Sequence, residues 1–335
     1  MQAIVLRALG GPEVLRLETV DDPVAGPGEV LVRLHAAALN HRDVWIRKGQ
    51  YAGIQLPVIL GSDGAGEIVA VGDGVDESFV GWRVVIDPGF DWGDDPRVQG
   101  RNYRILGLPD DGTYAQFVRV PVSNIHAMPT GLSFEEAAAI PLAGLTAYRA
   151  VTTRGAVQAG ETVLVTGIGG GVAVFALQMA RYAGGRVFVS SSSETKIARA
   201  IELGAEGGVD YREPDWPAKL RELTEGGPDV IITSAGGAAF DQCLDAARPG
   251  GRVVVYGATH GPVPDLQLRR VFWKQLSILG STMGTDDEFA DMLKWFSTGA
   301  VAPVVDRVFP LAEAGAAQEA MESHAQFGKI VLSIP

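Results

Sequence analysis

ETVLVTGIGGGVAVFALQMARYAGGRVFVSSSSETK, residues 161–196, is the stretch that decides the fold. An apolar run over 162–166 leads straight into Gly167, Gly169, Gly170 and Gly171. A segment with one apolar face follows at helical spacing (Val172, Phe175, Ala176, Met179), and then a second apolar run, RVFVS. Strand, glycine turn, helix and strand in that order are the context a dinucleotide-binding fingerprint requires. The glycines let the backbone turn sharply and approach a pyrophosphate, and the helix N-terminus offers free N–H groups and a partial positive charge. Gly167 and Gly169 fit the fingerprint, whereas its third position, usually glycine, is Val172. A glycine-rich turn that binds nothing is the competing explanation.

The end of the second strand selects among dinucleotides. An NAD site usually places Asp or Glu there, bonded to the ribose 2′-hydroxyl. Here the position falls in Ser190, Ser191, Ser192 and Ser193, followed by Lys196. Hydroxyls and a cation at the start of a helix suit a 2′-phosphate, which a carboxylate would repel, so NADP(H) is the expected cofactor. The same serines could instead serve only as a helix N-cap, and Glu194 counts against a strongly cationic pocket.

Beyond this unit, further apolar runs over 209–210, 230–233, 252–257 and 276–279 alternate with helical segments, which indicates a parallel sheet with crossover helices. Upstream, SFEEAAAIPLAGLTAYRAV (133–151) reads as one helix, with Ser133 as N-cap and Glu136 completing a capping box. Residues 1–127 read differently. Short apolar runs are broken by GGPE, PVAGPGE, GDGVDE and DPGFDWGDDP, the pattern of a small β-barrel. Residues 88–111 carry five aspartates and little periodicity, and read as a loop or lobe. The tail from 304 returns to strand, helix and strand. The expected class is therefore α/β, with a β-barrel domain over 1–127 completed by 299–335 and a doubly wound parallel-sheet cofactor domain over 128–298.

Composition narrows the function. The chain has 335 residues, 47% hydrophobic and 20% charged, which suits about two folded domains. Its 28 basic and 40 acidic residues leave a net charge of −12, so neither nucleic acid nor an anionic membrane is an expected partner. One cysteine, Cys243, excludes a disulfide framework and a thiolate-rich zinc site, and suits a reducing, cytoplasmic compartment. None of the five histidines stands at metal-ligand spacing, so no metal is expected.

The segments AAALNHRDVWIRKGQY (36–51), LGSDGAGEIVAVG (60–72), DGTYAQFVRVP (111–121), IPLAGLTAYRA (140–150), VLVTGIGGGV (163–172), ARPGGRVVVYG (247–257), QLSILGSTMG (275–284) and FGKIVLSI (327–334) identify a family by their order and spacing. The chain resembles the medium-chain dehydrogenase/reductase superfamily over essentially its whole length, and most nearly the zinc-free quinone oxidoreductase branch. The resemblance implies a GroES-like catalytic barrel, a Rossmann domain and a homodimer joined along the Rossmann sheet edge near 275–283. It also implies lost metal sites. Zinc-dependent relatives carry cysteine where this chain has Asn40, and Gly-His-Glu where it has Gly61-Ser62-Asp63. The matching lobe, 88–106, has none of their four cysteines.

Site roles follow from the same resemblance. Tyr51 stands at the active-site tyrosine of quinone and enoyl-thioester reductases; a phenol is protonated at neutral pH and can give a proton to a developing enolate. A role as an aromatic plug is the alternative. Asn40 would bond the substrate carbonyl or the nicotinamide ribose, Asp63 would hold the old ligand network together, and His41 could titrate near neutrality. Thr146 matches a position near the nicotinamide. Lys196 and Tyr211 match contacts to the 2′-phosphate, Gly257 and Ala258 lie where the cofactor should pass, and Lys329 matches a cofactor-phosphate contact. The expected activity is NADPH-dependent transfer of hydride to a quinone or α,β-unsaturated carbonyl, a small-molecule substrate, without metal. A zinc-free alcohol/ketone dehydrogenase, an enoyl-thioester reductase and a non-enzymatic NADPH-binding protein are the alternatives.

Overall fold

A computed structural model describes all 335 residues. Contacts divide the chain into two units, one of Met1–Ala143, Gly284–Ser297 and Pro303–Pro335, the other of Gly144–Met283 and Thr298–Ala302. By contacts, residues 128–143 and 284–297 group with the β unit, whereas the sequence reading sets the domain bounds at 127/128 and 298/299. Packing is the reason. Helix Phe134–Ala138 lies on strands Glu29–Ala38 and Asp63–Val71. Helix Asp286–Ser297 buries Phe289, whose ring lies 4.8 Å from that of His126.

In the β unit the strand order is Ile125–Ala127, Arg83–Ile86, Asp63–Val71, Glu29–Ala38, Lys329–Ser333 and Val305–Pro310, with Phe117–Pro121 also paired to Glu29–Ala38. A second sheet joins Leu15–Thr19, Gln2–Leu6 and Val58–Ile59. One apolar core serves both, with Ile4, Leu6, Leu34, Ile46, Leu60, Ile68, Ile330 and Leu332 fully or nearly buried. Register matters most along Glu29–Ala38. Its last residue, Ala38, faces Asp63 on one side and Val331 on the other. Two ends of the chain therefore meet just before Asn40. Gly66 makes this crossing possible, since a Cβ there would lie 2.0 Å from the Arg33 carbonyl oxygen.

The other unit is a six-stranded, all-parallel sheet in the order Gly207–Asp210, Arg186–Ser191, Thr162–Val165, Val230–Thr233, Arg252–Val255 and Ser277–Gly280. The order reverses at Thr162–Val165, as in a doubly wound fold. The central strands are buried along their whole length, which is why they read as continuous apolar runs. Helices Gly171–Tyr182, Glu194–Glu202, Trp216–Leu223, Ala239–Ala246 and Leu268–Trp273 connect them.

The helix expected over 133–151 is two. The Ser133–Glu136 capping box forms as expected, but Pro141 lacks the N–H to continue, and a second helix runs Pro141–Tyr148 before six residues of π-helix, Arg149–Arg154. The lobe over 88–111 contains one short hairpin, Gly89–Phe90 with Arg104–Ile105. Its acidity is partly neutralised: Arg104 pairs with Asp91 and Asp110, and Arg97 with Asp95. No helix is long and apolar enough to cross a membrane.

Candidate active site

Asn40 caps helix His41–Arg47; its own N–H donates to Asp43 Oδ2 at 2.8 Å. Asp43 is fully buried, and the same oxygen accepts the Tyr114 hydroxyl at 2.9 Å. Burial pushes its pKa up, against the pull of Arg42 and these hydrogen bonds. Asp43 thus ties the helix start to the barrel, a structural role.

The Asn40 side chain points elsewhere. Its Nδ2 donates to Asp63 Oδ2 at 2.9 Å, and its Oδ1 accepts from Lys329 Nζ at 2.7 Å. Lys329 also donates to the Leu39 carbonyl at 2.7 Å and to Asp63 Oδ2 at 2.9 Å. Asp63 Oδ1 accepts the Leu142 N–H at 2.8 Å. Lys329 is 4% exposed and Asp63 0%. The register of the last strand explains the meeting, since Leu39 N–H bonds the Ile330 carbonyl and draws Lys329 over the loop that follows Ala38.

This corrects the expectation for Lys329. All three of its ammonium protons are committed inside the β unit, which leaves none for a cofactor phosphate. It also answers whether the residues fit a zinc ion. Ser62 accepts from Arg42 and donates to the Leu106 carbonyl. Asn40 and Asp63 share an ammonium ion. A dication would be repelled by that ammonium and would find no thiolate donor, so the residues do not fit zinc. No group of three His, Cys, Asp or Glu side chains in the chain could hold a metal ion.

His41 also departs from expectation. Its ring stacks on His324 at 6.0 Å and 13°. Burial, and then the neighbouring His324 and Lys329 charges, push its pKa down to about 4, so it is neutral at neutral pH. Tyr51 is half-buried, with the Arg42 guanidinium 5.2 Å over its ring. Tyr103 is a residue that sequence reasoning missed. Its hydroxyl is buried, its ring meets Trp92 edge-on at 5.2 Å, and burial and the Asp87 charge push its pKa well up. Arg42 and Tyr51 also act on it electrostatically, so two phenols share one neighbourhood. A tyrosine in an aperiodic lobe carries no sequence signal of this.

In the parallel-sheet unit the turn after Thr162–Val165 is as read. Gly167 and Gly169 have φ of 63° and 125°, conformations that favour glycine. Gly170 caps helix Gly171–Tyr182, and a Cβ on Gly167 or Gly170 would meet nothing within 4 Å. Val172 is half-buried in the first turn, and Ala173 after it is nearly fully buried. Open space over positive-φ Gly167 and over Gly170 at a helix N-terminus fits a dinucleotide pyrophosphate.

The serine run divides. Ser190 and Ser191 are buried strand residues, and the Ser191 hydroxyl accepts the Ser193 N–H at 3.1 Å. Ser193 is the helix N-cap. Ser192 alone accepts the Tyr211 hydroxyl, at 3.1 Å. Lys196 follows in the first turn of that helix. Asp210, at the end of the neighbouring strand, is held by Arg212 and kept low by it, while Glu194 opens the helix that carries Lys196. Thr146 is buried and donates to Met283 Sδ at 3.7 Å, while Gly257 and Ala258 follow strand Arg252–Val255, half-buried and exposed respectively.

Known proteins resemble the chain over nearly its whole length. Residues 26–130 match the alcohol dehydrogenase GroES-like domain, and residues 171–298 the zinc-binding dehydrogenase domain. The chain is 35% identical to the zinc-type alcohol dehydrogenase-like protein YogA of Leptosphaeria maculans, covering 96% of this chain and 94% of that one. It is 31% identical to the quinone oxidoreductase of Pseudomonas aeruginosa, covering 98% of each. Among solved structures, an NAD-dependent alcohol dehydrogenase superimposes with a TM-score of 0.96 at 43% identity, covering all of both chains. The crotonyl-CoA carboxylase/reductase AntE V350A, in complex with NADP, superimposes at 0.91 and 28% identity, covering 99% and 94%. The chain belongs to the zinc-type alcohol dehydrogenase-like group of the medium-chain dehydrogenase/reductase superfamily, and is an oxidoreductase of the kind that uses a nicotinamide cofactor.

Proposed function

We propose that this oxidoreductase is an NADPH-dependent reductase of quinones or α,β-unsaturated carbonyl compounds. The glycine turn over 167–171 would hold NADPH, and the cofactor when bound would supply the hydride for the acceptor's electrophilic carbon. The chain's own groups orient the acceptor and deliver the proton. Asn40 Nδ2 keeps one proton beyond its bond to Asp63 and donates it to the acceptor oxygen. Tyr51 transfers its phenolic proton to the oxygen or enolate carbon as negative charge develops there, and regains one from water. Asp63 acts through Asn40.

The observation that carries this reading is the Lys329–Asp63–Asn40 cluster. Where polarisation of a carbonyl rests on hydrogen-bond donors and not on a Lewis acid, an already activated acceptor is favoured over a simple alcohol or ketone. The choice of NADPH is supported by the hydroxyls of Ser192 and Tyr211 beside Lys196 and by the pairing of Asp210 with Arg212, with Glu194 in the same first helical turn as the opposing charge. Pairing of Arg97 and Arg104 with the lobe aspartates lowers the charge that would repel a thioester carrier, and so keeps an enoyl-thioester reductase as the second reading.

We also take the working form to be a homodimer. The edge strand Ser277–Gly280 is unpaired on one side, and Leu268, Phe272 and Trp273 beside it are 64%, 60% and 78% exposed. An edge with such an apolar flank needs cover.

The test is oxidation of NADPH and of NADH with 1,4-benzoquinone and cyclohex-2-enone. The expected result is turnover with NADPH at a kcat/KM at least about tenfold that with NADH. Equal rates would overturn the cofactor assignment, and no turnover with either acceptor would overturn the substrate class.

A further inference from the structure

An asparagine amide is nearly symmetric in shape, and its oxygen and nitrogen exchange places by a half-turn about the terminal bond. Asn40 is denied that freedom by charge. On its oxygen side stands the Lys329 ammonium at 2.7 Å, and on its nitrogen side the Asp63 carboxylate at 2.9 Å. The flipped amide would set two N–H groups against a cation and a carbonyl oxygen against a carboxylate. It would lose two charge-assisted hydrogen bonds and gain two repulsions. A neutral partner on either side would hold the amide less firmly. Lys329 is itself rigid, because its other two protons are fixed on the Leu39 carbonyl and on Asp63. A buried ion pair is weak evidence for a contribution to stability, since well-packed apolar residues often do as well. Orientation is what this pair supplies and apolar residues could not.

We infer that Lys329 is a positioning residue for catalysis: it locks the Asn40 amide so that the second Nδ2 proton is presented, in a fixed direction, to the oxygen of the hydride acceptor. This rests on the role given to Asn40 above, but its geometric half stands without it. Lys329 lies on the last strand and Asn40 at the start of the first long helix, 289 positions apart, and no local pattern links them.

The chain has three asparagines, which makes the amide itself observable. With [15N]asparagine, only the side chains of Asn40, Asn102 and Asn124 appear in the side-chain region. Two are internal standards: Asn102 is exposed, and Asn124 is buried with Nδ2 donating to the Asp87 and Gly89 carbonyls. For Asn40 in the full-length protein, one Nδ2 proton should exchange as slowly as those of Asn124 and the other as fast as those of Asn102. Lys329→Met should abolish the difference, and should lower kcat with cyclohex-2-enone about 10²-fold while leaving the KM for NADPH unchanged. If both Asn40 protons of the unaltered protein exchange alike, the lock does not exist, and no variant is needed to overturn the inference. If Lys329→Met folds and keeps both the exchange difference and kcat, the lysine is not what locks the amide. Failure of the unaltered protein to reduce any acceptor would overturn the proposed function, while the exchange measurement would still decide for or against the lock.

Discussion

Acidification should destabilise this protein through His41, and by an amount the structure sets. In the unfolded chain a histidine titrates near 6.5; in the fold His41 is pushed down to about 4, first by burial, then by His324 and Lys329. Above pH 6.5 the ring is neutral in both states and contributes nothing. Between pH 6.5 and 4 the unfolded chain takes up a proton that the fold refuses, so stability falls as pH falls, with a slope of about 1.4 kcal/mol per pH unit. By pH 4 the loss from this one residue is about 3 kcal/mol, equivalent to roughly 4 °C in Tm for a chain of this size. His41 begins a helix, where the positive end of the dipole also disfavours a second cation. Carboxylates that lose their partners in acid add to the total, so the measurement is a difference. Urea unfolding of the unaltered protein and of His41→Gln at pH 7, 6, 5 and 4 should give curves that diverge below pH 6.5, the variant being the less acid-sensitive by about 3 kcal/mol at pH 4. Parallel curves would refute the reasoning, because His41 would then take its proton in the fold as easily as out of it.

Three further outcomes are expected. Tyr51→Phe should keep the melting temperature and lower kcat for enone reduction by about 10²-fold or more; unchanged kcat would hand the proton transfer to water or to Tyr103. Gly66→Ala places a Cβ 2.0 Å from the Arg33 carbonyl oxygen and should destabilise the β unit by about 3 kcal/mol or prevent its folding, read as a lowered urea midpoint; wild-type stability would show that the strand crossing yields easily. Trp273→Glu should convert the protein from dimer to monomer in analytical ultracentrifugation, and a dimer that survives would mean that the exposed Leu268, Phe272 and Trp273 face serves something else.

Much of this was legible in the chain. The βαβ unit announces itself because each of its parts is local: a buried parallel strand must be apolar throughout, a pyrophosphate turn must be glycine, and a helix must begin directly after it. The Ser133 capping box is local too, and forms as read. What the sequence left open, a partner distant in the chain decided. The serine run looks uniform, yet sheet pairing buries Ser190 and Ser191 and leaves Ser192 to meet Tyr211. Residues 284–297 follow the nucleotide fold in sequence, yet Phe289 finds its burial against His126.

The sequence by itself determined the two-part architecture, the glycine turn and the absence of a thiolate-rich metal site, because these depend on residue type and spacing over a few turns of chain. Only the tertiary structure decided what stands beside Asn40. Strand register carries Asp63 to one side of Ala38 and the final strand to the other, and so sets Lys329 against Asn40 across 289 positions. A lysine near a chain end reads as a surface cation from composition alone. Once buried, it must spend all three protons on nearby acceptors, and the choice of those acceptors is fixed by the fold.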